Sequence, residues 1–298
     1  MKPLKVVLAL LITFAILVGA RSGSMRQTPP IDEKIEFSNY TLEHHSSHVF
    51  KGDTTNAVMT VEVTRGTLPE NYRLGFYYRP KKIEDYEGEI AFSRFDMKNS
   101  VSAPDKYEVT IINKQRGSEF HYYILLENTE GQPVASMPAS EDFHNPKYTW
   151  FRFEGARSVP LLIAHIAGMF GGFLFMTLAF LTACTNVRNS TVNVTLGKYI
   201  LWTTIILFMG TFPIGIWLEY QVYATYWTGI PLGRDKTDSK GLVVFLYWFI
   251  LLILMKGSAF LSRPSRNWIK PIGARVVTII GFLLTAGLYL IPHSSGDF

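Results

Sequence analysis

The sequence predicts an exported all-β sandwich followed by an α-helical transmembrane bundle of four helices, five if an N-terminal segment is retained. Three observations predict it. Residues 31–155 alternate in the manner of strands between turn-forming breakers. Apolar runs of membrane-spanning length fill the C-terminal half. The loops between those runs are all-basic at one set of ends and mixed at the other.

Composition sets the outer limits. The chain has 298 residues, of which 48% are hydrophobic, 14% aromatic and 18% charged. Its 29 Lys+Arg against 24 Asp+Glu give a formal charge of +5. Most of the charge precedes residue 157, and this segregation excludes a disordered chain, a collagen and a single soluble domain. One cysteine excludes a disulfide framework and a cysteine-based zinc or iron–sulfur site.

The first apolar run covers residues 6–20, after Lys2 and Lys5. As a helix it reaches about 22 Å, short of the roughly 30 Å hydrocarbon core. Val18-Gly19-Ala20 supplies small residues at a cleavage position, so a cleaved signal peptide fits better than an uncleaved anchor. Both readings export the β-rich region C-terminal to it.

Four strand runs stand out next: Ala57-Val-Met-Thr-Val-Glu-Val-Thr64, Arg73-Leu-Gly-Phe-Tyr-Tyr-Arg79, Lys106-Tyr-Glu-Val-Thr-Ile-Ile112 and Phe120-His-Tyr-Tyr-Ile-Leu-Leu-Glu127. Breakers around Gly66, Gly117 and Gly131 separate them. The pattern Tyr77-Tyr78-Arg79, Phe95-Asp96-Met97, Tyr107 to Ile112, Tyr122-Tyr123-Ile124 and Glu130-Gly131 resembles bacterial fibronectin type III or immunoglobulin-like modules. That resemblance implies a sandwich that binds a partner or acts as a spacer. His44, His45 and His48 form a short histidine string without an acidic partner at motif spacing, and are expected on a solvated strand edge or loop rather than around a metal.

Residues 159–184, 199–218, 242–261 and 272–291 then supply the four spans. The loop 185–198 holds Arg188 and Lys198, and a later connection holds Lys256, Arg263, Arg266, Lys270 and Arg275, both without an acid. The connection 219–240 mixes Arg234, Lys236 and Lys240 with Glu219, Asp235 and Asp238. The positive-inside rule places the all-basic loops in the cytoplasm, and the mixed loop, the tail and the β domain outside. The expected location is therefore the bacterial cytoplasmic (inner) membrane. The domains are residues 1–20 (signal peptide or N-terminal anchor), 21–157 (extracytoplasmic β-sandwich with linkers) and 158–298 (transmembrane helices).

The candidate site residues lie in the bundle. His165 follows Val159 by six positions and sits about 9 Å into the membrane from the outer end. An ionisable group at that depth is costly, which makes a functional role the first hypothesis. Gly168, Met169 and Gly172 share its helical side. Either His165 ligates a haem iron or metal with the glycines clearing space, or the glycines are a helix-packing face and His165 hydrogen-bonds across the bundle. His293 closes the last span at the same expected face.

The loop 219–240 is the densest segment. Tyr220, Tyr223, Tyr226 and Trp227 suit an interfacial helix or aromatic belt. Gly229, Pro231 and Gly233 impose a tight turn. Asp235 and Asp238 are candidate cation or ligand groups, and Thr237 or Asp238 is a candidate cap for a helix starting near Gly241. The stretch Trp227-x-Gly229-x-Pro231-x-Gly233-x-Asp235-x-Thr237-Asp238, with the histidine–glycine helix and Ile291-Pro292-His293-Ser294, resembles a group of bacterial inner-membrane proteins, from residue 158 onward. No role for these residues is carried over from that group.

The expected function is an integral membrane protein with an outer-face site that holds haem b, a metal ion or a small ligand in support of a redox or respiratory assembly. Its binding candidates are His165, His293, Glu219, Asp235 and Asp238. Gly168, Met169, Gly172, Tyr226, Trp227, Gly229, Pro231, Gly233, Thr237 and Lys240 support them. Two alternatives stay open: an accessory subunit whose sandwich docks a periplasmic partner, and a transporter or proton-pathway protein. No complete catalytic motif is present, so the chain is not expected to be an enzyme by itself. The expected partners are the lipid bilayer and a periplasmic or membrane protein, with no nucleic acid.

Overall fold

The computed structural model describes residues 3–24, 29–53, 55–81, 90–101, 103–112, 115–185, 189–233 and 235–291. The chain forms two compact units, one of Thr28–Ala156 with Val222–Ala224, the other of Met1–Gln27, Arg157–Gln221 and Thr225–Phe298.

The first unit is built of strands β1 (Ile31–Phe37), β2 (Tyr40–Ser46), β3 (Val49–Lys51), β4 (Ala57–Arg65), β5 (Tyr72–Pro80), β6 (Ser93–Asp96), β7 (Lys98–Ser100), β8 (Ala103–Ile111), β9 (Glu119–Asn128), β10 (Pro133–Met137) and β11 (Thr149–Glu154). They form two sheets, β1-β2-β4-β8-β7 and β3-β11-β9-β5-β6, with β10 also paired to β9. All four predicted strand runs fall in β4, β5, β8 and β9. In β4, Ala57, Met59, Val61 and Val63 point inward while Val58, Glu62 and Thr64 face out, the period-two pattern of a half-buried strand. The run Tyr122 to Leu126 of β9 is buried on both faces, as expected of a central strand with an unbroken apolar sequence. Leu42, Met59 and Val61 of one sheet meet Phe76, Ile124 and Phe151 of the other in a single core. Outside that core, Arg94 holds the nearly buried Glu127 carboxylate through Nε at 3.2 Å and Nη2 at 2.7 Å, and Tyr77 donates to its second oxygen. Residues 222–224 belong to this unit: Gly155 N–H donates to Val222 O at 2.9 Å. Gly117 has φ +83°, and a Cβ there would run into the Tyr223 carbonyl, so two independent reasons require glycine.

The second unit is helical: α1 (Pro3–Ser24), α2 (Val159–Ala183), α3 (Ser190–Met209), a π turn (Gly210–Ile214), α4 (Gly215–Tyr223), α5 (Lys236–Leu254), α6 (Lys256–Leu261), a 3-10 turn (Pro264–Arg266) and α7 (Pro271–Leu290). Among the described residues, five helical stretches are long and apolar enough to cross a membrane, α3 through α4 counting as one. α1 packs against α2 and α7. Its Ala9 is fully buried, and Ile12 and Ile16 join the core of the bundle. Three sequence boundaries need correction. The second span starts nine residues earlier than expected, because the Asn189 side chain caps α3 by accepting from Thr191 and Val192 N–H at 2.9 and 3.3 Å. Lys198 is therefore on a helix rather than in a loop. The third span starts at Lys236, not near Gly241, and is capped by Asp235 rather than Thr237 or Asp238. It also ends at Leu254, and Met255 breaks it from α6.

Of the histidine string, His45 is exposed and His48 lies in the bend after β2, but His44 departs from the expected solvated edge or loop. His44 is 1% exposed in the core of the β unit. Its Nδ1 lies 2.6 Å from Thr60 O, a pure acceptor, so Nδ1 donates. In the neutral ring Nε2 then accepts from the Tyr122 hydroxyl at 2.8 Å. His45 instead faces Asp32 at 3.0 Å, and His48 reaches Trp150 O at 2.7 Å, so the three serve separate partners. Burial pushes the His44 imidazole below the ordinary histidine range, and burial with Lys81 and Arg79 does the same to His121. The unfolded chain then binds protons more readily than the folded one. This contribution to stability is full above about pH 6.5 and is lost as the pH falls through the lower folded values. Unfolding of the β unit in the full chain, followed at pH 7.5 and 5, should show lower stability at pH 5. His44→Gln should remove part of that dependence, and Tyr122→Phe should cost about 1–3 kcal/mol at either pH.

Candidate functional site

The candidate residues of the bundle sit where α2 begins, α4 ends, α5 begins and α7 ends. The Ser158 N–H just before α2 donates to the Gln221 side chain at 3.1 Å, and Lys240 Nζ donates to Ile291 O at 3.2 Å.

His165 lies at the break in the α3–α4 helix. Pro213 has no N–H, and at this point the ladder shifts to a π-type bond from Gly215 N–H to Gly210 O. His165 Nδ1 donates to the same Gly210 carbonyl at 3.0 Å. A neutral ring so held carries its lone pair on Nε2, the form in which a second-shell carbonyl presents a histidine to a ligand. His293, the other imidazole expected here, lies outside the described residues.

The glycines beside His165 meet α3 and the π turn. A Cβ at Gly168 would lie 2.7 Å from Gly210 Cα, and one at Gly172 would lie 2.9 Å from the Leu207 side chain. That side of α2 is therefore taken by helix packing. Met169 is tied by its own backbone and sulfur: Tyr289 donates to its carbonyl at 3.1 Å, and its sulfur lies 3.5 Å from Thr211 Oγ1.

The connection from α4 to α5 folds into a compact turn. Asp235 Oδ1 accepts from Thr237 and Asp238 N–H at 2.6 and 2.9 Å. Thr228 O accepts from Asp235 N–H at 2.9 Å, and Ser239 Oγ accepts from Ile230 N–H at 3.1 Å. Pro231 lies in the turn between Gly229 and Gly233. A Cβ at Gly229 would lie 2.5 Å from Asp238 Cβ, and one at Gly233 would strike Thr228 O, so both glycines are required by close approach. Trp227 stacks on Phe212 and donates to Ile230 O at 3.2 Å, while Tyr226 stacks on Tyr220 at 4.4 Å.

Within this turn three side chains converge. Thr228 Oγ1 lies 2.6 Å from Glu219 Oε1 and 3.3 Å from Asp238 Oδ2, and Thr228 N–H donates to the same Asp238 oxygen at 3.0 Å. Glu219 and Asp238 thus share the Thr228 hydroxyl as a common neighbour. Glu219 and Asp238 were legible as candidates, while Thr228 was not. It occupies an unspecified position between Trp227 and Gly229, and threonine carries no mark of function in sequence. Asp235 is taken up by capping, and Thr237 by the first turn of α5. Among the described residues, no group of three or more His, Cys, Asp or Glu side chains is arranged to hold a metal ion.

No protein-family model matches the chain, and no curated protein matches it. Two substitutions separate the packing from the turn. Gly168→Val should lower the thermal midpoint of the full chain in detergent, at a cost of about 1–3 kcal/mol or more from overpacking. Asp235→Ala should cost about 1 kcal/mol, and Asp235→Asn much less, because asparagine caps almost as well.

Proposed function

We propose that the chain is a multi-pass protein of the bacterial cytoplasmic membrane that carries a proton- or cation-binding site at its outer face, centred on Glu219, Thr228 and Asp238. One observation supports this above others, a shortage of hydrogens. Two carboxylates are acceptors only, and the Thr228 hydroxyl has one hydrogen to give. Two carboxyl groups within hydrogen-bonding reach of one hydroxyl are completed by a proton or a cation held between them. His165, with Nδ1 fixed by a carbonyl, fits as a neighbouring donor of a lone pair for a metal or small ligand. The site serves a proton-pathway or ligand-holding role in a larger membrane assembly.

The orientation rests on the all-basic loops, and the immunoglobulin-like reading of the β unit on its two sheets around one core. We read α1 as a retained fifth helix, because Ala9, Ile12 and Ile16 are part of the bundle core. A second reading, a subunit that docks a partner through its β unit, draws on a cleft of about 640 Å³ in that unit, lined by Leu68, Arg73, Met97, Asp105 and Tyr107 among others.

Infrared spectroscopy of the full chain in mild detergent tests the site. A carboxylic-acid C=O band that shifts in D2O should be present and should vanish in both Glu219→Gln and Asp238→Asn. If a cation replaces the proton, elemental analysis finds it bound, and the same variants lose it. A preparation with neither the band nor a bound cation overturns the reading. A visible Soret band lost in His165→Ala would identify a haem as the ligand. The mass of the purified protein should include residues 3–24, and a mass lacking them would return α1 to the role of a cleaved signal.

A further inference from the structure

The connection from α5 to α7 carries Lys256, Arg263, Arg266 and Lys270, with Arg275 just inside α7, and the sequence has no Asp or Glu between Asp238 and Asp297. Among the described residues, none of the five cations enters an ion pair. Arg263, Arg266, Lys270 and Arg275 are exposed. A topology signal needs only charge, and a loose loop would supply it.

This connection is instead a built structure. Arg263 N–H donates to Gly257 O at 2.8 Å, Arg266 N–H to Arg263 O at 3.0 Å, and Trp268 N–H to Leu254 O at 2.8 Å, which folds the chain back onto the end of α5. Gly257 lies directly beneath: a Cβ there would be 2.5 Å from Arg263 O. The Asn267 amide locks the base. Its Nδ2 donates to Asn193 Oδ1 at 3.1 Å and Ser258 Oγ at 2.8 Å, and its Oδ1 accepts from Ser258 N–H at 2.7 Å. Asn193 and Ser258 are buried, so the loop is anchored inside the bundle.

An apolar rim surrounds these cations. Trp268 is 67% exposed, with Lys256 Nζ 3.7 Å above its ring centre. Phe260, Leu261 and Ile272 are exposed beside it in sequence. The whole connection joins two spanning helices, so it lies at the level where headgroups meet hydrocarbon.

We infer that the α5–α7 connection is a preorganised binding site for the headgroup of an anionic phospholipid. The uncompensated Arg and Lys side chains meet the phosphate, and Trp268 with its apolar neighbours meets the acyl and glycerol region. A free phosphate would satisfy the charges and leave the apolar rim in water. An acidic protein segment would likewise leave it uncovered. The lipid satisfies both.

The full chain is reconstituted in nanodiscs of mixed phosphatidylcholine and phosphatidylglycerol, then extracted, and the lipids it retains are quantified by mass spectrometry. Phosphatidylglycerol should be enriched over phosphatidylcholine. Each exposed cation near the surface contributes about fivefold in affinity, so Arg263→Gln, Arg266→Gln and Lys270→Gln should reduce the enrichment stepwise, singly and together. Trp268→Ala should reduce it with all charges intact, and Lys236→Gln, at the start of α5, should leave it unchanged. Equal retention of the two lipids by the unsubstituted chain overturns the proposal. So does enrichment unaffected by the arginine variants, or displacement of the lipid by inorganic phosphate or an acidic peptide at comparable concentration. Single substitutions at exposed positions keep the test valid if the triple variant does not fold.

Discussion

Inside hydrocarbon a polar side chain has no water to bond, so its partner must come from the protein, and the helical unit is organised by that constraint. Thr177, Thr204 and Thr278 bond carbonyls one turn back on their own helices. Trp248 is fully buried and gives its indole N–H to Thr285 on α7. Tyr247 and Tyr289 give their hydroxyls to carbonyls of Val277 and Met169 on neighbouring helices. The bonds that cross between helices have one geometry each, whereas apolar contacts between helices in lipid have many. These bonds therefore select one packing among alternatives that hydrophobicity leaves nearly equal. Glycines then set how near the helices come: Gly168 against Gly210, Gly197 against Ser258, and Gly281 against the Tyr247 ring.

The same rule accounts for the irregular backbone. Pro213 interrupts the helix ladder, and the Gly210 carbonyl next to the interruption collects two donors, Gly215 N–H and His165 Nδ1. A histidine at this depth thus has a structural partner without ceasing to be a candidate ligand, because the bond occupies one ring nitrogen only. Packing and function, which stand as alternatives for this helix in the sequence, are divided here between residues. Gly168 and Gly172 serve packing, and the Nε2 edge of His165 is the part that packing does not consume.

Legibility in the sequence followed periodicity. The two-residue alternation of β4 and the apolar run of β9 identified their strands, because burial on one or both faces leaves that pattern directly. The spans were legible for the same reason. What failed was anything that depends on a partner distant in sequence. His44 read as solvated in its string with His45 and His48, but Tyr122, on the other sheet, gives it a buried place. The start of α3 was missed because Ser190, Thr191, Asn193 and Thr195 read as a polar loop. Yet Asn193 is buried on Ser258 and Asn267. Thr228 was missed because its meaning comes from Glu219 and Asp238 converging on it.

Turn formation explains most of the α4–α5 connection without any function. Asp235 caps α5, Asp238 accepts the Thr228 N–H, Ser239 accepts the Ile230 N–H, and Gly229 and Gly233 let the two arms of the turn approach. Without Glu219, the Thr228 hydroxyl hydrogen still has Asp238 to receive it. A leucine at the end of α4 would satisfy the bilayer better and leave the turn whole. Under the proposed function, Glu219 brings a second carboxyl to the hydroxyl that Asp238 already accepts from, an encounter that a shared proton or a cation would relieve. A carboxyl that the turn does not need, placed where ionisation is costly, is the reason the proposed site is centred on Glu219 rather than on the capping Asp235.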